Sequence, residues 1–133
     1  MPLFEDRIRL RVSQFSSEII KKSLQHFYRE QAKSVFEDLL SSLHPRLAHL
    51  SIPYPELRVR KMKNRWGSCS LQGFININLD LIQTPLVCIE YVIAHELCHY
   101  VEFNHSPRFH RLMDEVMPDW QERKKILDAF ILA

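Results

Sequence analysis

Residues 85–105 read PLVCIEYVIAHELCHYVEFNH, and this stretch decides the fold. Thr84 and Pro85 form a helix start, because proline at the first helical position gives up an amide that would be unpaired anyway. The residues that follow, Leu86 to Val101, are apolar almost all round, the pattern of a helix buried on most of its surface. Within it stand His95, Glu96 and His99. Histidines four apart on a helix project from one face, one turn above the other, where both rings reach one ion; Glu96 lies one step round, beside it. Zinc bound by neutral imidazoles lowers the pKa of its water towards about 7, and a carboxylate so placed accepts the proton as that water attacks. Without an ion, two imidazoles and a carboxylate in an apolar helix would each carry a desolvation cost. The setting therefore points to a metal centre with Glu96 as general base.

Two residues compete for the third ligand. His105 follows His99 by six positions, just past Asn104, which can adopt the left-handed conformation that ends a helix. His110 lies in the next helix, with Asp114 one turn further on. His105 is preferred, because a loop histidine directly after the helix needs less rearrangement. One zinc ion per chain on His95, His99 and His105 would keep a fourth coordination position open, the arrangement of a catalytic site.

Working outward, Ser16 is a plausible N-cap. Ile20, Leu24, Phe27, Gln31, Val35, Leu39 and Leu43 then recur at spacings of three and four, which predicts an amphipathic helix over 17–43. Pro45, Pro53 and Pro55 make 44–55 a connecting loop. Leu57 and Val59 alternate with Arg58 and Arg60, and Ile75, Ile77 and Leu79 alternate with Asn76 and Asn78, the two-residue period of half-buried strands. A third strand is predicted from Trp66 to Ser70, turning at Leu71, Gln72 and Gly73. Ser106 and Pro107 open a helix that runs to about Met117, and a last helix runs from Asp119 to Ile131. Its Ile126, Leu127, Phe130, Ile131 and Leu132 have the spacing of a face that docks on the first helix.

Composition limits the function classes. The 133 residues are the size of one domain, and 46% apolar against 26% charged excludes a disordered chain. Eighteen basic and sixteen acidic residues leave a net charge of +2, too balanced for a sequence-wide grip on nucleic acid or anionic lipid. Any such binding would be local, and Arg58, Arg60, Lys61, Lys63 and Arg65 are the place for it. They read as a cationic rim for an acidic peptide, a nucleotide phosphate or DNA, or as a solvated strand face that discourages edge pairing. Trp66 reads equally as cleft wall and as core. Cys69, Cys88 and Cys98 form no Cys-x-x-Cys pair, and Cys88 and Cys98 would stand about 15 Å apart along one helix, so reduced thiols in a cytoplasm are expected. No apolar run approaches the roughly 20 residues of a membrane span. Tyr91 and Tyr100 on the central helix read as core residues that could donate to an oxyanion, and His26, His44 and His49 as ordinary surface or loop residues.

The segments Asn64-Arg65-Trp66-Gly67-Ser68-Cys69-Ser70, Ile75-Asn76-Ile77-Asn78, Tyr91 to His99 and Asn104-His105-Ser106 resemble the YgjP-like family of zincin-type metal-dependent hydrolases, relatives of the SprT-like proteases. The resemblance covers about residues 56–117. It implies that His95, His99 and His105 bind zinc and that Glu96 is the base. Family members commonly carry Phe-Trp after the Asn-His-Ser motif, whereas here His110 follows Phe109, and many have a longer β-rich N-terminal region. Glu102 stands where the metzincin pattern requires glycine, which excludes that group.

The resulting expectation is a single α+β, zincin-like domain over 1–133, with a small twisted sheet on a buried zinc helix flanked by N- and C-terminal helices. Its expected function is that of a cytoplasmic, monomeric zinc metallopeptidase acting on a peptide or protein, with Arg65, Trp66 and His110 as substrate contacts. Two alternatives stand beside it. One is a metal-dependent hydrolase of nucleotide phosphoanhydrides using the cationic strand, and the other a non-enzymatic, zinc-stabilised module that binds a partner or nucleic acid.

Overall fold

A computed structural model of the chain describes residues 17–130. The chain divides into two compact units, Met1–Gln31 and Ala32–Ala133. Helix α1, Ser17–Leu43, begins in the first unit and ends in the second. Its predicted cap Ser16, like Ile131 and Leu132 at the other end, lies outside the described residues.

In the second unit α1 buries Ala32, Phe36, Leu40 and Leu43, with Val35 and Leu39 packed at the margin. The buried stripe is therefore rotated from the one that spacing predicted, since Ala32 and Phe36 lead it. A seven-residue 3₁₀ helix, His44–Leu50, follows where a loop was expected. Pro45 sits in its first turn, where no amide partner is needed, and fully buried Leu47 pins it to the core. Arg46 donates from Nη1 to the carbonyl of Val116 at 2.9 Å, closing a distant helix end.

Strands β1 (Glu56–Arg60), β2 (Gly67–Ser70) and β3 (Phe74–Asn78) form one sheet in the order β1-β3-β2. Strand β1 runs parallel to β3, with Leu57 opposite Ile75, and β2 runs antiparallel to it, with Ser68 opposite Asn76. The β2–β3 turn needs Gly73, whose φ of +102° an L side chain rarely adopts. Alternation sends Ile75 and Ile77 into the core, each fully buried and worth about 1.5–3 kcal/mol relative to exposure. Leu79, expected in the strand, opens a 3₁₀ helix, Leu79–Gln83. Asn78 is the hinge: its Nδ2 donates to the carbonyls of Met62 and Arg65 at 2.8 Å each, and its Oδ1 accepts from the amide of Asp80 at 3.0 Å.

Helix α2, Leu86–Val101, is the central element, and Pro85 stands at its cap rather than inside its first turn. Strands β2 and β3 and helices α3 (Pro107–Val116) and α4 (Trp120–Asp128) all pack on α2 as their principal helical partner. Ser106 caps α3, its Oγ accepting from the amide of Phe109 at 3.3 Å. Helix α4 docks on α2, where sequence pattern had suggested the first helix. Arg123 reaches Glu90 at 3.2 Å and the carbonyl of Val87 at 3.3 Å, and Leu127 is buried while Ile126 and Phe130 are exposed. Among the described residues no helix is long and apolar enough to cross a membrane.

Candidate metal centre

Helix α2 ends at Val101, before Asn104, because Glu102 leaves in an extended conformation (φ −130°, ψ 102°) while its amide still bonds the carbonyl of Cys98 at 2.8 Å. Among the described residues Ser51 alone of the non-glycine residues has a positive φ, so the expected left-handed Asn104 is not what ends the helix. The extended exit turns the chain back and brings His105 over the helix. His95, His99 and His105 then aim their Nε2 atoms at one another: 3.1 Å between His95 and His99, 2.9 Å between His99 and His105, 3.4 Å between His105 and His95. Four-coordinate zinc with nitrogen ligands at about 2.0–2.1 Å needs its ligand atoms about 3.3 Å apart. The triangle fits, and it is a group that could hold a metal ion.

Each ring is prepared for that task by its other nitrogen or by its surroundings. The Nδ1 of His99 lies 3.3 Å from the carbonyl of Glu102, which can only accept, so Nδ1 carries the proton and Nε2 keeps its lone pair. The same residue that ends the helix thus sets the tautomer. Tyr91, one turn before His95, places its hydroxyl 3.4 Å from His95 Nδ1. Burial, reinforced by the charges of His99 and His105, pushes His95 down to about 3, and burial also lowers His99. Both are neutral imidazoles at ordinary pH. Phe109 stacks on His99, with ring centroids 4.4 Å apart and planes 21° from parallel, and meets the other two rings edge-on.

Glu96 is 5% exposed, and burial raises its carboxyl to about 7, against the pull of Arg65. It borders two cavities that His95 also lines. The larger, about 430 Å³, is walled by Arg65, Gly67, Ser68, Cys69 and Phe103, and the smaller, about 220 Å³, by Trp66, Tyr91 and Leu127. Trp66 is half-buried, both cleft wall and core neighbour. His110 stands outside the triangle but lines a cavity that His95 and His105 also border: its ring stacks parallel on Trp120, with centroids 5.7 Å apart, and Asp114 accepts from Trp120 Nε1 at 2.8 Å instead of pairing with His110. Of the basic run, Arg58 pairs with Glu56 and lies 3.7 Å over the Phe74 ring, Lys61 pairs with Asp80, and Arg65 lines the cleft. The Cys69 thiol is pushed up to about 11 by burial and by Glu96, so it stays protonated and is no nucleophile.

Sequence reasoning quoted Gly67 without giving it a role. A Cβ at that position would stand 3.1 Å from each of Glu96 Cγ, Val92 Cγ1 and the Asn76 carbonyl oxygen. The glycine lets β2 lie against α2 directly over the carboxylate. Gly67→Ala is expected to destabilise the metal-free protein by about 1–3 kcal/mol, the usual range for overpacking. Urea unfolding of both proteins in chelator measures it, and an unchanged midpoint would show that the contact yields freely.

No curated protein sequence matches the chain. Among solved structures, the metallopeptidase zymogen abylysin of Pyrococcus abyssi is similar at 26% identity and a TM-score of 0.61, over 71% of this chain and 90% of that one. The zymogen of Methanocaldococcus jannaschii jannalysin, at 21% identity and a TM-score of 0.59 over 72% and 97%, shares the fold. The small three-stranded sheet and the helices packed with it are thus the α+β frame of zincin-like metallopeptidases. A family model described as YgjP-like, metallopeptidase domain matches residues 4–130, and the chain belongs to that family of metal-dependent hydrolases.

Proposed function

We propose that this metallopeptidase domain is a zinc enzyme in which His95, His99 and His105 hold the ion, one per chain, and Glu96 is the general base. The observation that carries the reading is the triangle of three Nε2 atoms, 2.9 to 3.4 Å apart, with a buried carboxylate on the residue next to one of them. Zinc, when bound, supplies Lewis acidity: it acidifies a water and polarises a carbonyl oxygen. The remaining work falls to the protein. Glu96 accepts the proton of the attacking water and delivers it to the leaving amine, a task for which a carboxyl raised towards neutrality by burial is suited.

Substrate alignment follows from the sheet. The amide of Asn78 bonds the carbonyl of Trp66 at 2.8 Å, so the pairs that exchange hydrogen bonds along the β2–β3 ladder are 66/78, 68/76 and 70/74. The N–H and C=O groups of Gly67 and Cys69 therefore face the outer edge of β2, on the cavity side of Glu96. An extended peptide can pair with them without regard to its side chains. Arg65 lines the same cavity and is suited to hold a substrate carbonyl or carboxylate, and Trp66 supplies a flat wall. The reading takes residues 1–133 as one such domain, with 56–117 as its working part. It takes the protein as a cytoplasmic monomer, with which three free thiols agree.

The test is hydrolysis of a mixture of internally quenched peptides by zinc-loaded protein. Cleavage that stops on chelation and returns with zinc is the expected result. No cleavage, together with zinc-dependent release of phosphate or pyrophosphate from nucleoside triphosphates, would replace the peptidase reading with a nucleotide one.

A further inference from the structure

On the side of the histidine triangle away from β2, a cavity of about 630 Å³ opens between α2, α3 and α4. Its walls are rings: Tyr91 from α2, Phe109 and His110 from α3, Trp120 from α4. His95 and His105 border it, so whatever enters lies directly beside the metal triangle. Its outer border is Lys124 and Lys125, and no carboxylate lines it. Lys124 pairs with Asp128 at 3.1 Å in an exposed contact of little worth, and Lys125 has no acidic partner among the described residues. Lys124 also borders the smaller cavity together with His95 and Glu96, which places it near the centre.

We propose that this cavity is the subsite that selects the substrate: it takes an aromatic side chain next to the scissile bond, and Lys124 and Lys125 hold a carboxylate that accompanies it. An aromatic ring gains edge-to-face and stacked contacts with four ring walls that an aliphatic side chain cannot make. Two lysines without a lining acid are complementary to an anion and would repel a basic residue at the same place. The carboxylate is either the free C-terminus of the peptide or the side chain of an adjoining Asp or Glu. The naming of a peptide as the ligand rests on the peptidase reading above.

The test measures binding to the zinc-loaded protein through the indole N–H resonance of Trp120, assigned with Trp120→Phe. The probes are N-acetylphenylalanine, its amide, N-acetylalanine, and N-acetyl-Phe-Glu-amide. The expected result is that Trp120 shifts, with the amide and the alanine compound bound about fivefold more weakly than the better aromatic carboxylate. N-acetylphenylalanine as the better of the two identifies a C-terminal carboxylate, and N-acetyl-Phe-Glu-amide an acidic side chain. In Lys124→Gln/Lys125→Gln, shown by metal content to be intact, the better aromatic carboxylate and the amide should bind alike. An unmoved Trp120, an amide that binds the wild type as tightly as the better of the two aromatic carboxylates, or a preference that survives the double substitution and so belongs to the metal, would each overturn the proposal. Because nothing is turned over, the two readings fail separately. A protein that binds as expected but cuts no peptide loses only the peptidase reading, and one that cuts without discriminating among the probes loses only the subsite.

Discussion

Glu96→Gln is expected to keep one zinc per chain and to lose peptide hydrolysis by about 10²- to 10⁴-fold, the range that general acid–base groups contribute. The reasoning is steric as well as chemical. Glutamine fills the same volume between Gly67 and Val92, where Gly67 leaves room for the Cγ methylene and nothing larger, so β2 and the histidine triangle need not move. What disappears is the ability to accept a proton. It also removes a buried acid whose ionised form is opposed by burial, so the variant should be no less stable than the wild type. Elemental analysis beside the quenched-peptide rate measures both halves. Full activity in a metal-loaded Glu96→Gln protein would refute the assignment of the base.

The second large effect concerns His105, the exposed member of the triangle and the one supplied by a loop. His105→Ala leaves two nitrogens 3.1 Å apart and is expected to lose stoichiometric zinc, whereas His110→Ala should retain it, since that ring stacks on Trp120 instead of joining the triangle. Metal binding to the folded state alone stabilises it by RT ln(1 + [L]/Kd), about 2.7 kcal/mol at a hundredfold excess over Kd. For a chain of this size that corresponds to roughly 10 °C of melting temperature. Chelation should thus lower the Tm of wild type and of His110→Ala by about that amount and leave His105→Ala unmoved. A chelator response in His105→Ala equal to wild type would remove His105 from the ligand set.

Much of this was legible in the sequence because it is local. The helix that ends at Leu43, the presence of a buried helix after Pro85 and the Ser106 cap follow from spacing, proline and capping chemistry, and they stand where those rules put them. The misses lie where a contact distant in sequence overrides a local rule. Prolines in 44–55 argued for a loop, but buried Leu47 makes a 3₁₀ turn worthwhile. Asn104 carried the composition of a helix end, yet the chain leaves two residues earlier because the carbonyl of Glu102 is needed at His99. Helical spacing in α4 correctly found Leu127 but could not say against what it packs, since an apolar stripe names no partner; the polar Arg123–Glu90 pair does. At the site, helical periodicity alone brings His95 and His99 to one face. The proximity of His105 depends on a loop whose path no periodicity encodes, and the role of Gly67 becomes visible only when the missing Cβ is set against Glu96.

Helix α2 is the axle on which β2, α3 and α4 are each set as spokes, with α3 and α4 joined to one another where His110 stacks on Trp120. One spoke carries the substrate-pairing edge, one the ring that braces His99, one the lysines of the aromatic cavity. Changes within α4 can therefore retune which peptides are accepted without disturbing the histidines or Glu96, all of which the axle or its returning loop supplies. A small enzyme built this way can change diet while keeping its chemistry.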